Sequence, residues 1–201
     1  MRVWAIVVAA GTGSRFGKPK QFEMLGDRTI LQWSTDAARA TCDDVVVVVP
    51  VGSEGGVAGG ATRSESVRNG LASVPADAEI VVVHDAARPL ATAALFAAVI
   101  DAVSAGADGA IPAVPVTDTI KRVDGERVVE TLDRSALVAV QTPQAFRADV
   151  LRKAHAAGAD ATDDGALVEA AGGRVVVVPG ETANIKVTTP HDLRIAEALL
   201  P

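Results

Sequence analysis

Residues 3–20 read VWAIVVAAGTGSRFGKPK. From Val3 to Ala10 no side chain is charged or carries a hydroxyl, and the run then breaks into Gly11-Thr12-Gly13. A strand that is apolar at every position has no solvated face, so both of its faces are covered by other elements. The small residues that follow let a backbone come close to a ligand, and successive N–H groups in such a loop cradle phosphate. A buried strand opening into a glycine loop predicts an α/β fold, in which ligands bind beyond the carboxyl ends of the strands.

Three further Val-rich runs, Val45–Val49, Ile80–Val83 and Val175–Val178, have the same character. Ala-rich segments of helical length separate them: Ile30–Ala40, Ser64–Ser73, Thr92–Ala105 and Arg147–Ala157. The alternation predicts a three-layer, Rossmann-like α/β fold with a mixed, mostly parallel sheet. A length of 201 residues points to one domain over 1–201, against a prior of roughly 150 residues per domain. A composition 49% hydrophobic and 22% charged excludes disorder. The net charge of −6 excludes a broadly basic nucleic-acid surface, so an anionic ligand needs a local cluster of cations. Four Phe, two Trp and no Tyr make a poor base-stacking platform.

Cys42 is the only cysteine, which excludes an intrachain disulfide and fits a reducing, cytoplasmic compartment. With His84, His155 and His191 scattered along the chain, a structural zinc site is not expected. The apolar start imitates a signal peptide, but it runs into a glycine loop instead of a cleavage site and reads as the first strand. No apolar run reaches the roughly 18 residues of a membrane span. At the other end, Thr189-Pro190-His191-Asp192 predicts a helix start, with Thr189 as N-cap, Pro190 at the first helical position and His191 a passenger.

The stretch Thr117 to Leu137, TDTIKRVDGERVVETLDRSAL, interrupts the α/β pattern. Asp124-Gly125 signals a type I′ hairpin turn. Its flanks are charged and poor in bulky apolar residues. It reads either as an arm that projects toward a second subunit or as an ordinary edge hairpin.

Four places carry residues suited to chemistry. The first glycine loop fits neither the dinucleotide fingerprint, because Phe16 stands where glycine is required, nor the P-loop, because Pro19 follows Lys18. What remains is a glycine loop followed by Arg15, Lys18 and Lys20, read as a phosphate site or as solvated charges. Second, His84-Asp85-Ala86-Ala87-Arg88-Pro89 follows a Val-rich strand. Asp85 suits Mg²⁺, and Arg88 suits a forked grip on phosphate; an internal ion pair between them is the plainer reading. Third, Gly59-Gly60-Ala61-Thr62-Arg63-Ser64-Glu65-Ser66 is a capped helix start or a reader of a nucleobase edge. Fourth, Lys186 stands within Asn184-Ile185-Lys186-Val187-Thr188, where a lone Lys is ordinarily solvated.

In this order the pieces AAGTGSRFGKPKQF, GGATRSESVRNGL, VVVHDAARPL, PVTDTIKR, TLDRSAL, QTPQAF, ATDDGALVE and NIKVTTPHDL resemble the 2-C-methyl-D-erythritol 4-phosphate cytidylyltransferase family of the non-mevalonate isoprenoid pathway. The likeness spans residues 9 to 193. It implies a nucleotidyltransferase fold with a protruding β-arm at 117–137, homodimerisation through that arm, CTP and methylerythritol phosphate as substrates, and Mg²⁺ or another divalent cation. It implies that Ala9, Ala10, Gly11, Gly13, Gly60, Ser66 and Ala86 lie against CTP. Arg15, Lys20 and Lys186 then serve the phosphates. Asp85 serves metal and methylerythritol phosphate, with Arg88 and Thr162 beside the latter, and Thr119 and Arg134 reach the neighbouring subunit's substrate. Three departures stand out: a short spacing between Arg15 and Lys20, Ala61 where Asp is frequent, and Ala183 where Asp is frequent. The rival readings are a D-ribitol 5-phosphate cytidylyltransferase, which favours Val where Ala87 stands, a sugar-phosphate or molybdopterin nucleotidyltransferase using another base, and a nucleotide-binding regulator without catalysis.

Overall fold

A computed structural model describes residues 1–13 and 16–200, so Ser14, Arg15 and Pro201 lie outside the described residues. Strand β1 (Val3–Val8) leads through the glycine loop and a short 3-10 turn (Lys20–Phe22) to a two-stranded ribbon, β2 (Met24–Leu25) and β3 (Arg28–Thr29), and helix α1 (Ile30–Arg39). Then come β4 (Asp44–Val49), β5 (Val57–Ala58), α2 (Arg63–Ala72), β6 (Ile80–Asp85) and α3 (Ala93–Ser104). The second half runs β7 (Gly109–Pro115), β8 (Lys121–Asp124), β9 (Arg127–Thr131), β10 (Val138–Val140), β11 (Gln144–Arg147), α4 (Ala148–Ala156), α5 (Asp164–Ala170), β12 (Val175–Pro179) and α6 (Pro190–Ala198).

The main sheet has the order β10-β7-β11-β6-β1-β4-β5, with β12 also paired to β7. β1 runs parallel to β4 and β6, and β12 parallel to β7. β11 runs antiparallel between β6 and β7, and β10 antiparallel to β7. This is the mixed, mostly parallel sheet that the β-α alternation predicts. The first apolar run is a strand paired on both sides, and no described helix is long and apolar enough to cross a membrane.

Successive residues of the central strands feed opposite faces, as the two-residue period of a strand requires. Ala5, Val7 and Val82 pack with Leu95, Phe96 and Val99 of α3. Ile6, Val81 and Val83 pack with Val67 and Leu71 of α2, Leu151 of α4 and Leu167 of α5. Each Val, Ile, Leu or Phe among them contributes about 1.5–3 kcal/mol of hydrophobic stabilisation when fully buried. Local chemistry sets the helix starts. Thr29, Thr62, Thr92, Asp163 and Thr189 each accept a backbone N–H with the side chain at an N-cap. Thr189 and Pro190 start α6 as predicted, leaving His191 exposed.

The 117–137 stretch is built as β8 and β9, and every residue of both strands is exposed in the lone chain. Its turn differs from the predicted one. Asp124 pairs with Arg127, so the central residues are Gly125 and Glu126. Gly125 has φ of 56°, and no described non-glycine residue has positive φ. Glycine at the first central position is the II′ rule, which asks for positive φ only there. β7, β11 and α5 have no counterpart among the predicted elements.

Candidate active site

The carboxyl ends of β1 and β6 lie side by side, with Val8 in register with Asp85. Ala86 N–H donates to Val8 O (3.0 Å) and Ala9 N–H to Val48 O (2.7 Å). The glycine loop and the segment after His84-Asp85 therefore leave adjacent strands over one edge of the sheet. Between them and the start of α2 lies a cavity of about 400 Å³, walled by Ala10, Gly11, Lys20, Gly60, Ala61 and Ala86, among others. Ala9 and Ser66 also line it.

Small residues are a steric necessity here. Gly13 has φ of 71°, and a Cβ there would sit 1.8 Å from Lys18 O. A Cβ on Gly59 would sit 2.2 Å from Ala10 Cβ, so the two loops meet only because Gly59 has no side chain. The buried Gln21 donates to Gly11 O (3.2 Å) and holds the glycine loop from behind. Lys18 turns to Glu23 (2.8 Å), while Lys20 lines the cavity. Arg15, the third cation of the cluster, lies outside the described residues. In the third stretch the Ser66 hydroxyl donates to Thr62 O (2.9 Å) and accepts from Gly60 N–H (3.1 Å). It shapes the loop from within, and both of these hydrogen bonds stay inside the loop.

Asp85, at the end of β6, is gripped by two cations. Arg63 Nε donates to Oδ1 at 3.0 Å, and Lys186 Nζ to Oδ2 at 2.5 Å. Burial pushes the Asp85 carboxyl up, but Arg63 and Lys186 outweigh it and hold the group well below the usual carboxylate range. Burial likewise works against the charge on Arg63, and Asp85 and Asp164 more than compensate. Lys186 is fixed by its neighbour: Val187 is fully buried and its N–H donates to Ala87 O (2.8 Å). The expectation of a solvated lysine holds in that Lys186 remains exposed, while its ammonium is anchored to Asp85 on the cavity wall.

Arg63, Asp85 and Lys186 also line a second cavity of about 410 Å³, which holds Arg88, Thr142 and Thr162. The three charged groups are thus the wall shared by two adjoining chambers. His84, fully buried, orients this wall. Its Nε2 lies 3.2 Å from Arg88 O, an acceptor only, so Nε2 carries the proton. Nδ1 then accepts from the Thr142 hydroxyl (3.1 Å), whose oxygen accepts Asp85 N–H (3.0 Å). Burial lowers the His84 pKa to about 4, so the ring is neutral near pH 7 and acts as a strut.

Arg88 departs from the plainer of its two sequence readings, the ion pair. It makes no ion pair with Asp85; its Nη1 donates to Asn184 O (2.8 Å) and its Nη2 to Val140 O (3.2 Å). One hydrogen on each amine is therefore committed to the backbone, and the side chain lines the second chamber. Thr119 and Arg134 are exposed on the arm and line neither chamber of this chain.

Arg63, Gln141 and Thr142 are site residues that sequence reasoning passed over. Arg63 stood in a quoted motif, but its role depends on partners 22 and 101 residues away. The buried Gln141 ties Asn184 and Glu181 to β10, with Nε2 donating to Glu181 O at 2.8 Å and Oε1 accepting from Asn184 at 3.2 Å. Among the described residues no group of three or more His, Cys, Asp or Glu is placed to hold a metal.

The sequence pattern of the 2-C-methyl-D-erythritol 4-phosphate cytidylyltransferase family matches residues 3–201. The chain belongs to this family. The family's enzymes are CTP-dependent nucleotidyltransferases, and the sheet described above is the nucleotidyltransferase fold. The 2-C-methyl-D-erythritol 4-phosphate cytidylyltransferase of Rubrobacter xylanophilus is 47% identical over 218 residues, covering 98% of this chain and 94% of that protein. The one of Nocardia farcinica is 45% identical over 216 residues, covering 98% and 94%. The crystal structure of the Thermus thermophilus enzyme superposes with a TM-score of 0.87 at 38% identity, over 99% of this chain and 98% of that one.

Proposed function

We propose that the chain joins CTP to 2-C-methyl-D-erythritol 4-phosphate, giving 4-diphosphocytidyl-2-C-methyl-D-erythritol and pyrophosphate. The observation that carries this reading is the shared wall of Arg63, Asp85 and Lys186 between two chambers of about 400 and 410 Å³. CTP occupies the first chamber, with its triphosphate toward the glycine loop, Arg15 and Lys20. The methylerythritol phosphate occupies the second, between Thr162, Arg88 and the shared wall.

In the reaction a phosphate oxygen of the polyol substrate forms a bond to the α-phosphorus of CTP. The bond from that phosphorus to the bridging oxygen breaks, and the electron pair leaves with pyrophosphate. The attacking phosphate is already largely dianionic near pH 7, its second pKa being about 6, so no general base is required. That suits a site whose histidine is buried and neutral. The protein's work is to bring two anions together and to stabilise charge in flight. Lys186 faces both chambers and is placed to draw the attacking phosphate toward the α-phosphate.

Asp85 fits a divalent cation such as Mg²⁺, which favours one or two carboxylates plus substrate phosphates. A carboxylate offers about four lone-pair positions, and Arg63 and Lys186 occupy only two of those on Asp85. When bound, the ion would neutralise charge on the triphosphate. We further propose a homodimer in which Thr119 and Arg134 of the arm complete the neighbour's second chamber, and a cytoplasmic location consistent with the lone, buried Cys42. The arm's exposed Val123, Val128 and Val129 support this assembly.

The test is turnover by the purified chain with CTP and Mg²⁺ against methylerythritol phosphate and D-ribitol 5-phosphate, with pyrophosphate release as readout. Preference for the first polyol phosphate is expected. Preference for the second would move the chain's activity to the ribitol substrate, and CTP binding without turnover would make it a regulator.

A further inference from the structure

Behind the shared wall the charges continue in a single line. Arg63, the first residue of α2, gives its Nε to Asp85 and its Nη1 to Asp164 Oδ2 (2.8 Å). Asp164 is fully buried at the start of α5, and its other oxygen, Oδ1, faces His155 Nε2 at 3.0 Å. His155, on α4, is itself buried, and its Nδ1 has no partner among the described residues. A nitrogen facing a carboxylate is a donor, so Nε2 carries a hydrogen. The line is therefore Lys186, Asp85, Arg63, Asp164, His155, with each carboxylate giving one oxygen to each neighbour.

That one-oxygen rule has a consequence at the site. Left to itself a guanidinium takes a carboxylate with two parallel N–H bonds. Such a grip by Arg63 would occupy both oxygens of Asp85 and compete with Lys186. Asp164 takes Nη1, on the edge of the guanidinium away from Nε, and so sets the plane of the group: Nε alone reaches Asp85, at Oδ1, Nη2 has no partner among the described residues, and Oδ2 is left to Lys186, on the wall of both chambers. His155 keeps Asp164 in place by occupying the oxygen that Arg63 does not use.

We propose that Asp164, held by His155, is a positioning residue for the transfer: it sets the plane of the Arg63 guanidinium and so keeps one oxygen of Asp85 directed to Lys186. Neither residue touches a substrate. Asp164 and His155 line neither chamber, and His155 instead borders a cavity between α2 and α4. The proposal rests on the reading of the two chambers given above.

The experiment compares wild type, Asp164→Asn, His155→Phe and His155→Gln in the same pyrophosphate-release assay, with melting midpoints recorded for each. Inactive wild type would refute the two-chamber reading itself, whereas active wild type with unaffected variants would refute only the positioning role. Asp164→Asn keeps the shape but not the charge that holds Nη1. Its kcat is expected to fall on the order of 10²-fold, as a misplacement of about 1 Å costs, while KM for CTP stays within about threefold. His155→Phe keeps the volume and loses the donor, so it should lower kcat about tenfold; His155→Gln keeps a donor and should restore it to within about threefold. A folded Asp164→Asn enzyme with kcat within about threefold of wild type would overturn the proposal. Equal activity of the Phe and Gln variants would overturn the part played by His155. If both Asp164→Asn and His155→Phe fail to fold, the line serves stability and the proposal fails.

Discussion

Lys186 Nζ lies 2.5 Å from Asp85 Oδ2, across 101 residues of chain. The contact closes the seam between the loop after β6 and the segment before α6, and it puts one cation on the wall of both chambers. Lys186 remains 40% exposed, so an incoming phosphate can reach it without the network being broken.

Lys186→Ala removes that cation. Loss of one preorganised charge contact costs on the order of 10²–10³ in rate, and kcat should fall by that amount while the melting midpoint hardly moves. Steady-state kinetics with both substrates varied checks this. A kcat within about threefold of wild type would take Lys186 out of the transfer step.

The arm prediction concerns subunit exchange. Arg134→Ala and Lys20→Ala subunits, each poorly active as homodimers, are mixed. If the arm completes the neighbour's site, a mixed dimer has one site with both defects and one with neither, and activity reappears up to about half per mixed dimer. Sedimentation and a tagged-subunit pulldown verify the exchange. No recovery after verified exchange would mean that the arm serves its own subunit or only holds the dimer together.

Gly59→Ala tests the approach of the two nucleotide loops. The new Cβ would meet Ala10 Cβ at 2.2 Å, so one loop must shift. Overpacking of this kind costs about 1–3 kcal/mol, and the displaced wall belongs to the first chamber. KM for CTP should rise severalfold while KM for the polyol phosphate changes little. An unchanged KM for CTP would show that the first chamber tolerates loop movement.

The start of α6 supplies a pH test. Hydrogen bonds from the Thr188 side chain, with those from Thr188 and Thr189 backbone and Thr189 side chain, bring the Asp192 carboxyl down to about 2 against 3.8. A folded-state pKa below the unfolded value stabilises the fold above 3.8, and the contribution is lost as pH falls toward 2. Because the group is largely solvent-screened, its worth is no more than about 1 kcal/mol. The gap in urea midpoint between wild type and Asp192→Ala should be open at pH 5 and narrow as pH falls through about 2. A gap that does not narrow would mean that the carboxylate's charge contributes nothing to the cap.

The parts of this protein legible in the sequence are those that one short stretch determines. Val3–Val8 and Ile80–Val83 are apolar because both faces of the sheet are covered, and that pattern shows without knowledge of the neighbours. Thr189 and Pro190 start a helix through contacts within one turn, and Gly11 to Gly13 open a loop through backbone freedom. β7 and β11 escaped because Pro112 interrupts one and the other is four residues long; both are strands by virtue of their partners. The pairing of Arg63 with two carboxylates could not be read from its motif, since Asp85 and Asp164 reach it through the crossovers of the sheet and the docking of α5. Local order follows from interactions a few residues apart, which the chain carries in its own pattern. The division of one guanidinium between two buried carboxylates follows from where distant elements pack, and only the tertiary structure decides that.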